Sequence, residues 1–123
     1  MAKTGKNVNK GHQTFKTGAQ KHTVGKLRFD LIPPEVDESL AAVYTLGTTK
    51  YSDRNWELGI PYMTCVASLR RHLNDWLKGN DINTIDGDLN SIEHVMFWAA
   101  ALITFIKRNR KDLDDRPLTN KKS

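Results

Sequence analysis

Glu35 and Glu38 stand three apart in the stretch Glu35-Val36-Asp37-Glu38, a spacing that sets both carboxylates on one face of a helix. Two carboxylates held close repel unless a proton or a cation sits between them. Mg²⁺ and Mn²⁺ take oxygen ligands and keep room for waters and substrate phosphates. Such a pair, joined by a third acid, can therefore hold a metal against a phosphate chain. Acids in a first helical turn are equally favoured by the helix dipole, with no metal involved. Glu93 and His94 form a second candidate, just ahead of the apolar run Val95 to Ile106. An acid at the edge of a buried helix needs a partner, either a cation or a basic side chain. His94 reads as a substrate contact or as a packed core histidine. Arg71, His72 and Asp75 form a third. Arg71 and Asp75 are spaced for a surface ion pair, which contributes little. His72 and Asp75 share a face that suits a metal or a substrate, and the planar fork of Arg71 suits phosphate.

The fourth candidate is Lys50-Tyr51-Ser52-Asp53-Arg54-Asn55-Trp56. Lys50 and Arg54 offer charge for phosphate, Tyr51 and Trp56 offer rings to stack on a base, and Asn55 offers an amide to read its edge. The same segment also reads as a turn anchored in the core by Trp56. Other chemistries lack their motifs. There is no Gly-rich phosphate loop and no zinc-type Cys/His spacing. The acidic loop Asp81 to Asp88 fails as an EF-hand, because no register gives a glutamate at its twelfth position. Cys65 is the single cysteine of the chain, so it forms no internal disulfide, and its apolar surroundings mark it as a buried packing residue.

Three amphipathic helices would have to position these groups. The first is expected over about 34–46, opened by Pro34 and carrying Val36, Leu40, Val43 and Tyr44 as its apolar stripe, with Gly47 ending it. The second spans about 62–78, with Val66, Leu69, Leu73 and Trp76 at helical spacing and Gly79 as its stop. The third runs from about 89 to 110, with Asp88 as its N-cap. It is apolar on nearly every face between Val95 and Ile106, which requires cover on all sides. Two neighbours of this length cannot supply that cover, so a dimer or larger homo-oligomer, such as a tetramer, is expected. The fold class is all-α: a small bundle of three main helices completed by oligomerisation.

Charge divides the chain into three. Residues 1–26 carry six lysines and no acid, residues 107–123 carry seven basic groups and three acids, and the acids dominate between them, although the net charge is +5. Residues 1–26 are too polar to offset the entropy of ordering and are expected to be a disordered basic tail. Residues 27–110 form the domain, and 111–123 a flexible tail. An acidic centre between basic tails is not the footprint of a specific nucleic-acid reader, though the tails could attract polyanions in an adaptor. The apolar run is too short for a bilayer, and the N-terminus lacks the apolar segment of a secretory signal, so no membrane association is expected and the cytoplasm is the expected compartment.

The ordered set Lys26-Leu27-Arg28-Phe29-Asp30-Leu31-Ile32-Pro33-Pro34-Glu35, Gly47, Lys50-Tyr51, Arg54-Asn55-Trp56, Gly59, Arg71-His72-Leu73 and His94 resembles the phage dATP/dGTP diphosphohydrolases. That family is related to the MazG/MazZ-like all-α nucleotide pyrophosphohydrolases. The likeness covers roughly residues 26–106. It implies an oligomeric, Mg²⁺-dependent (or Mn²⁺- or Co²⁺-dependent) enzyme of the host cytoplasm that cleaves dATP or dGTP to the monophosphate and pyrophosphate. Glu35 and Glu38 match the family's first acid pair, and the expected metal ligands are these two with Glu93 and Asp75, the latter two taken from their own placement and not from the family's pattern. Glu35, Glu38, Arg71 and His72 would be catalytic, and Lys50, Tyr51, Arg54, Asn55, Trp56 and His94 would bind the nucleotide. One departure stands out: the family's second acid pair has no clean counterpart, since Met96 stands three residues after Glu93, and Asn90 or Ser91 replaces an expected histidine. A non-hydrolysing nucleotide-binding phage protein, a sponge for nucleotide signals, is therefore the alternative.

Overall fold

The structure, a computed structural model, describes residues 11–84 and 89–119. Residues 1–10, residues 85–88 with the expected N-cap Asp88, and residues 120–123 fall outside that range, and so does their expected conformation. The chain divides into two compact units, residues 1–33 and 34–123.

Within the first unit, β1 (His12–Thr14) pairs antiparallel with β2 (Gln20–His22), with His12 opposite His22. Phe15 N–H donates to Ala19 O at 2.8 Å and Gly18 N–H to Phe15 O at 2.8 Å, and these bonds close the hairpin. The expectation for this stretch was disorder. The two short strands are fully exposed, so backbone pairing and the turn, not a core, define them. A 3₁₀ turn at Phe29–Leu31 follows, and the Arg28 guanidinium grips Asp30 with two bonds of 2.8 Å.

The second unit is a small helical bundle. Its helices are α1 (Pro34–Gly47), α2 (Tyr62–Leu77) and α3 (Ser91–Lys107). They lie where hydrophobic spacing predicts them. Gly79 takes φ +90°, and with Asn80 it returns hydrogen bonds to Trp76 O and Asp75 O, a left-handed stop that ends α2. A two-residue ribbon pairs β3 (Ile82–Asn83) with β4 (Leu89–Asn90). The N-cap of α3 is Asn90: its side chain accepts from Ile92 N–H at 2.9 Å, while Glu93 Oε1 accepts from Asn90 N–H at 2.8 Å. This is a capping box. Ser91, fully buried, binds back to the end of α2 through Asn80 O at 2.8 Å.

The core lies mainly between α2 and α3. Tyr62, Cys65, Ala101 and Phe105 are buried together, and Trp56, Trp98 and Leu113 pack around them. Cys65 is buried as expected, and desolvation pushes its thiol above the usual range. Leu113 belongs to a segment expected to be a flexible tail. Instead residues 111–119 fold back on the start of α2. Asp115 Oδ1 accepts from Met63 N–H at 2.8 Å, and the Arg116 guanidinium lies 5.9 Å from the Tyr62 ring centroid. Arg110 reaches the carbonyl of Leu58 over Gly59. Gly59 is required there: its φ is +121°, and a Cβ would stand 2.6 Å from the Arg110 guanidinium.

Candidate functional site

The connection between α1 and α2 cannot be a helix, because it is rich in turn formers and bounded by Gly47 and Pro61. It wraps across the bundle instead. Tyr51 N–H and Lys50 N–H both return to Gly47 O, which pins the start of the loop to the end of α1. Arg54 then takes φ 60°, in the left-handed region that arginine seldom adopts. A 3₁₀ turn, Asn55–Leu58, follows. It sinks Trp56 into a ring cluster, with Tyr44 stacked at 5.8 Å and Phe97 and Phe105 at 6.0 and 5.7 Å. Trp56 is therefore a core anchor for the loop as well as part of a wall. Tyr51 is the exposed ring of the segment.

Between this loop, α1 and the facing sides of α2 and α3 lies a cleft of about 880 Å³. Lys50, Tyr51, Arg54, Asn55, Trp56 and His94, all expected to bind substrate, line it, as do Arg71 and His72. Its size is that of a small-molecule site, and its lining mixes rings with many polar and charged side chains, as a charged ligand would need. Four cations line it against two carboxylates, Asp53 and Glu57. His72 and His94 are buried at its wall, stacked with centroids 4.6 Å apart. Asn83 Nδ2 faces His72 Nδ1 at 3.2 Å.

The expected metal ligands behave differently. Glu35, Glu38, Asp75 and Glu93 do not line the cleft. Glu35 and Glu38 are exposed on α1. Glu93 is committed to capping α3. Among the described residues, no three of His, Cys, Asp and Glu come together as a metal site. Ion pairs between described residues include Arg28–Asp30, Arg54–Glu57, Arg108–Glu57, Arg110–Asp112 and Arg116–Asp114, and none of these joins Arg71 to Asp75.

Sequence reading passed over several residues of the cleft. Tyr44, Phe97 and Trp98 were visible only as core positions of a helical stripe. Arg108 was assigned to the end of a helix and Glu57 to no role. The Arg54-to-Glu57 spacing of three was a legible ion-pair signal. The contact from Arg108 to Glu57, at 3.1 Å, spans 51 residues and was not.

Residues 16–116 match the family described as "dATP/dGTP diphosphohydrolase, N-terminal". The chain is also 31% identical over 94 residues to a protein of Salmonella phage PMBT28 named dATP/dGTP diphosphohydrolase. That likeness covers 75% of this chain and 31% of the phage protein, so the chain spans about a third of that relative's length. No solved structure matches.

Proposed function

From the premise that the chain belongs to the dATP/dGTP diphosphohydrolase, N-terminal, family, we propose that it hydrolyses dATP or dGTP to the monophosphate and pyrophosphate. The observation that carries this reading is the cleft, where Lys50, Arg54 and Arg71 stand among rings and an amide in a volume fit for a nucleotide. In the reaction, a water oxygen bonds to the α-phosphorus, the bond from that phosphorus to the bridging oxygen breaks, and pyrophosphate departs. The cations offset charge that spreads over the phosphate oxygens. His72, at the cleft wall, is placed to meet the same phosphate charge, and Tyr51 stacks on the base. A divalent cation, Mg²⁺, Mn²⁺ or Co²⁺, belongs to this reading and would supply a Lewis acid. Glu35 and Glu38 would hold it, with Asp75 or Glu93, and a second copy in a homo-oligomer would bring further acids.

A second reading has its own observation. The expected metal ligands Glu35, Glu38, Asp75 and Glu93 do not line the cleft, which favours a protein that binds a nucleotide and releases it intact. Incubation with each dNTP and each of the three cations, followed by product chromatography, separates the two. Deoxynucleoside monophosphate plus pyrophosphate supports hydrolysis, and its loss in Glu35→Gln and Glu38→Gln supports the acid pair. Intact nucleotide under every condition leaves the binding protein.

A further inference from the structure

Glu57 joins two cations of the cleft. Its Oε2 accepts from Arg54 Nη1 at 3.1 Å, and its Oε1 accepts from Arg108 Nη1 at 3.1 Å. The carboxylate is only 21% exposed, while Arg54 and Arg108 are 77% and 54% exposed. The acid is thus the fixed member, set in the 3₁₀ turn beside Trp56, and the guanidiniums extend from it toward water. Arg54 comes from a left-handed loop position and Arg108 from the C-terminal cap of α3. Both line the cleft.

Each guanidinium has five N–H donors in a planar fork. Among the described residues, Glu57 engages one nitrogen of each, and the rest of each fork faces no protein acceptor. A single carboxylate offsets only one of the two positive charges. The pair therefore keeps a net charge, and the two cations are held closer than their repulsion would leave them. An anion with several phosphates in a row relieves that repulsion and fills the open donors. An isolated surface ion pair would do none of this. The Arg108 guanidinium beside Glu57, followed by Arg54, also holds its carboxyl below the usual glutamate range, so the bridge stays ionised at neutral pH.

We propose that Arg108 binds the phosphate chain of the cleft's ligand together with Arg54, and that Glu57 is a positioning residue that holds the two guanidiniums side by side. The inference rests on the reading that the cleft takes a polyphosphate, and it does not require hydrolysis. The probes are inorganic tripolyphosphate, deoxyguanosine and dGTP, titrated calorimetrically into the full chain, with dGTP products measured in parallel. Arg108→Gln weakens tripolyphosphate and dGTP by about tenfold and leaves deoxyguanosine unchanged. Arg54→Gln and Arg108→Gln are non-additive in the native background and become additive in a Glu57→Gln background, because one of the two oxygens that each accept from a different arginine becomes an NH2 donor and the bridging charge is lost. A merely structural Glu57 would change melting temperature without touching that coupling. Native tripolyphosphate affinity in Arg108→Gln, or additivity in the native background, overturns the inference even if dGTP is hydrolysed. Arg108-dependent binding with dGTP recovered intact upholds it and removes the hydrolase reading instead.

Discussion

Glu57 and Glu93 carry the same carboxylate into different surroundings, and the surroundings assign them different work. Glu57 is encircled by guanidiniums at the cleft. Glu93 reaches back to the Asn90 N–H and completes a helix cap. A capping box accepts glutamine as well as glutamate. Glu93→Gln is therefore expected to keep the melting temperature near the native value, while Asn90→Ala costs about 1 kcal/mol in urea unfolding. The same Glu93→Gln variant decides whether Glu93 has a metal role: native turnover at limiting Mg²⁺ removes it from the ligand set, and lost turnover with an unchanged melt retains it. Asp114 gives a prediction in pH. Hydrogen bonds from Arg116, first from its side chain and then from its backbone, hold Asp114 down at about 2, below its ordinary 3.8. A depressed acid stabilises the fold above its unfolded value, and that stability is lost as pH falls through the folded value. Thermal melts of the native chain should therefore decline between about pH 4 and pH 2. Asp114→Asn should flatten that part of the profile; an unchanged profile would mean that the pair with Arg116 is not held in solution.

At the level of elements, α3 shows what a single chain makes legible and what it hides. Its apolar content and its length were readable from Val95 to Ile106, because a helix period needs no partner to be seen. Its ends were less so. Lysine and arginine are good helix formers, and the local stop signal, Asn109, is easily overlooked among them. The helix stops because Asn109 takes φ 58° and Asn109 and Arg110 return their N–H groups to Ile106 O and Phe105 O. Asn109→Gly should raise stability by about 0.5 kcal/mol, since glycine enters the left-handed region without a Cβ clash, and Asn109→Val should lower it by roughly 1 kcal/mol or more. Urea midpoints of the two variants check the sign. Equal midpoints would mean that the left-handed cap is not formed. The substrate candidates of the Lys50–Trp56 segment were legible as a set because they are consecutive. The stacking of His72 on His94 and the docking of Asp115 on α2 were not, since both join residues far apart in sequence. The separation of the expected metal ligands from the cleft was hidden for the same reason: spacing shows which residues share a helix face, but not what that face meets.

The whole molecule leaves apolar surface uncovered along α3. Ile92, Met96, Ala99, Ile103 and Ile106 recur at alternating steps of four and three, the pattern of a helix–helix seam. Met96 and Ala99 are half-buried, but Ile103 and Ile106 are 54% and 61% exposed. A domain this small has little core to draw on, and a seam of this kind is matched by a second copy of itself about a twofold axis. The expected result from light scattering on the eluted protein is a mass that is a multiple of 14.0 kDa. Ile103→Glu with Ile106→Glu places two like charges on the seam and should shift the protein to 14.0 kDa while its helical circular dichroism is kept. The same variant joins assembly to chemistry. If acids from two chains complete the cation site, the monomeric variant still binds tripolyphosphate in the cleft but loses turnover. Full turnover by a 14.0 kDa species would show that one chain suffices, and the acids of Glu35 and Glu38 would then have to act without a partner's help.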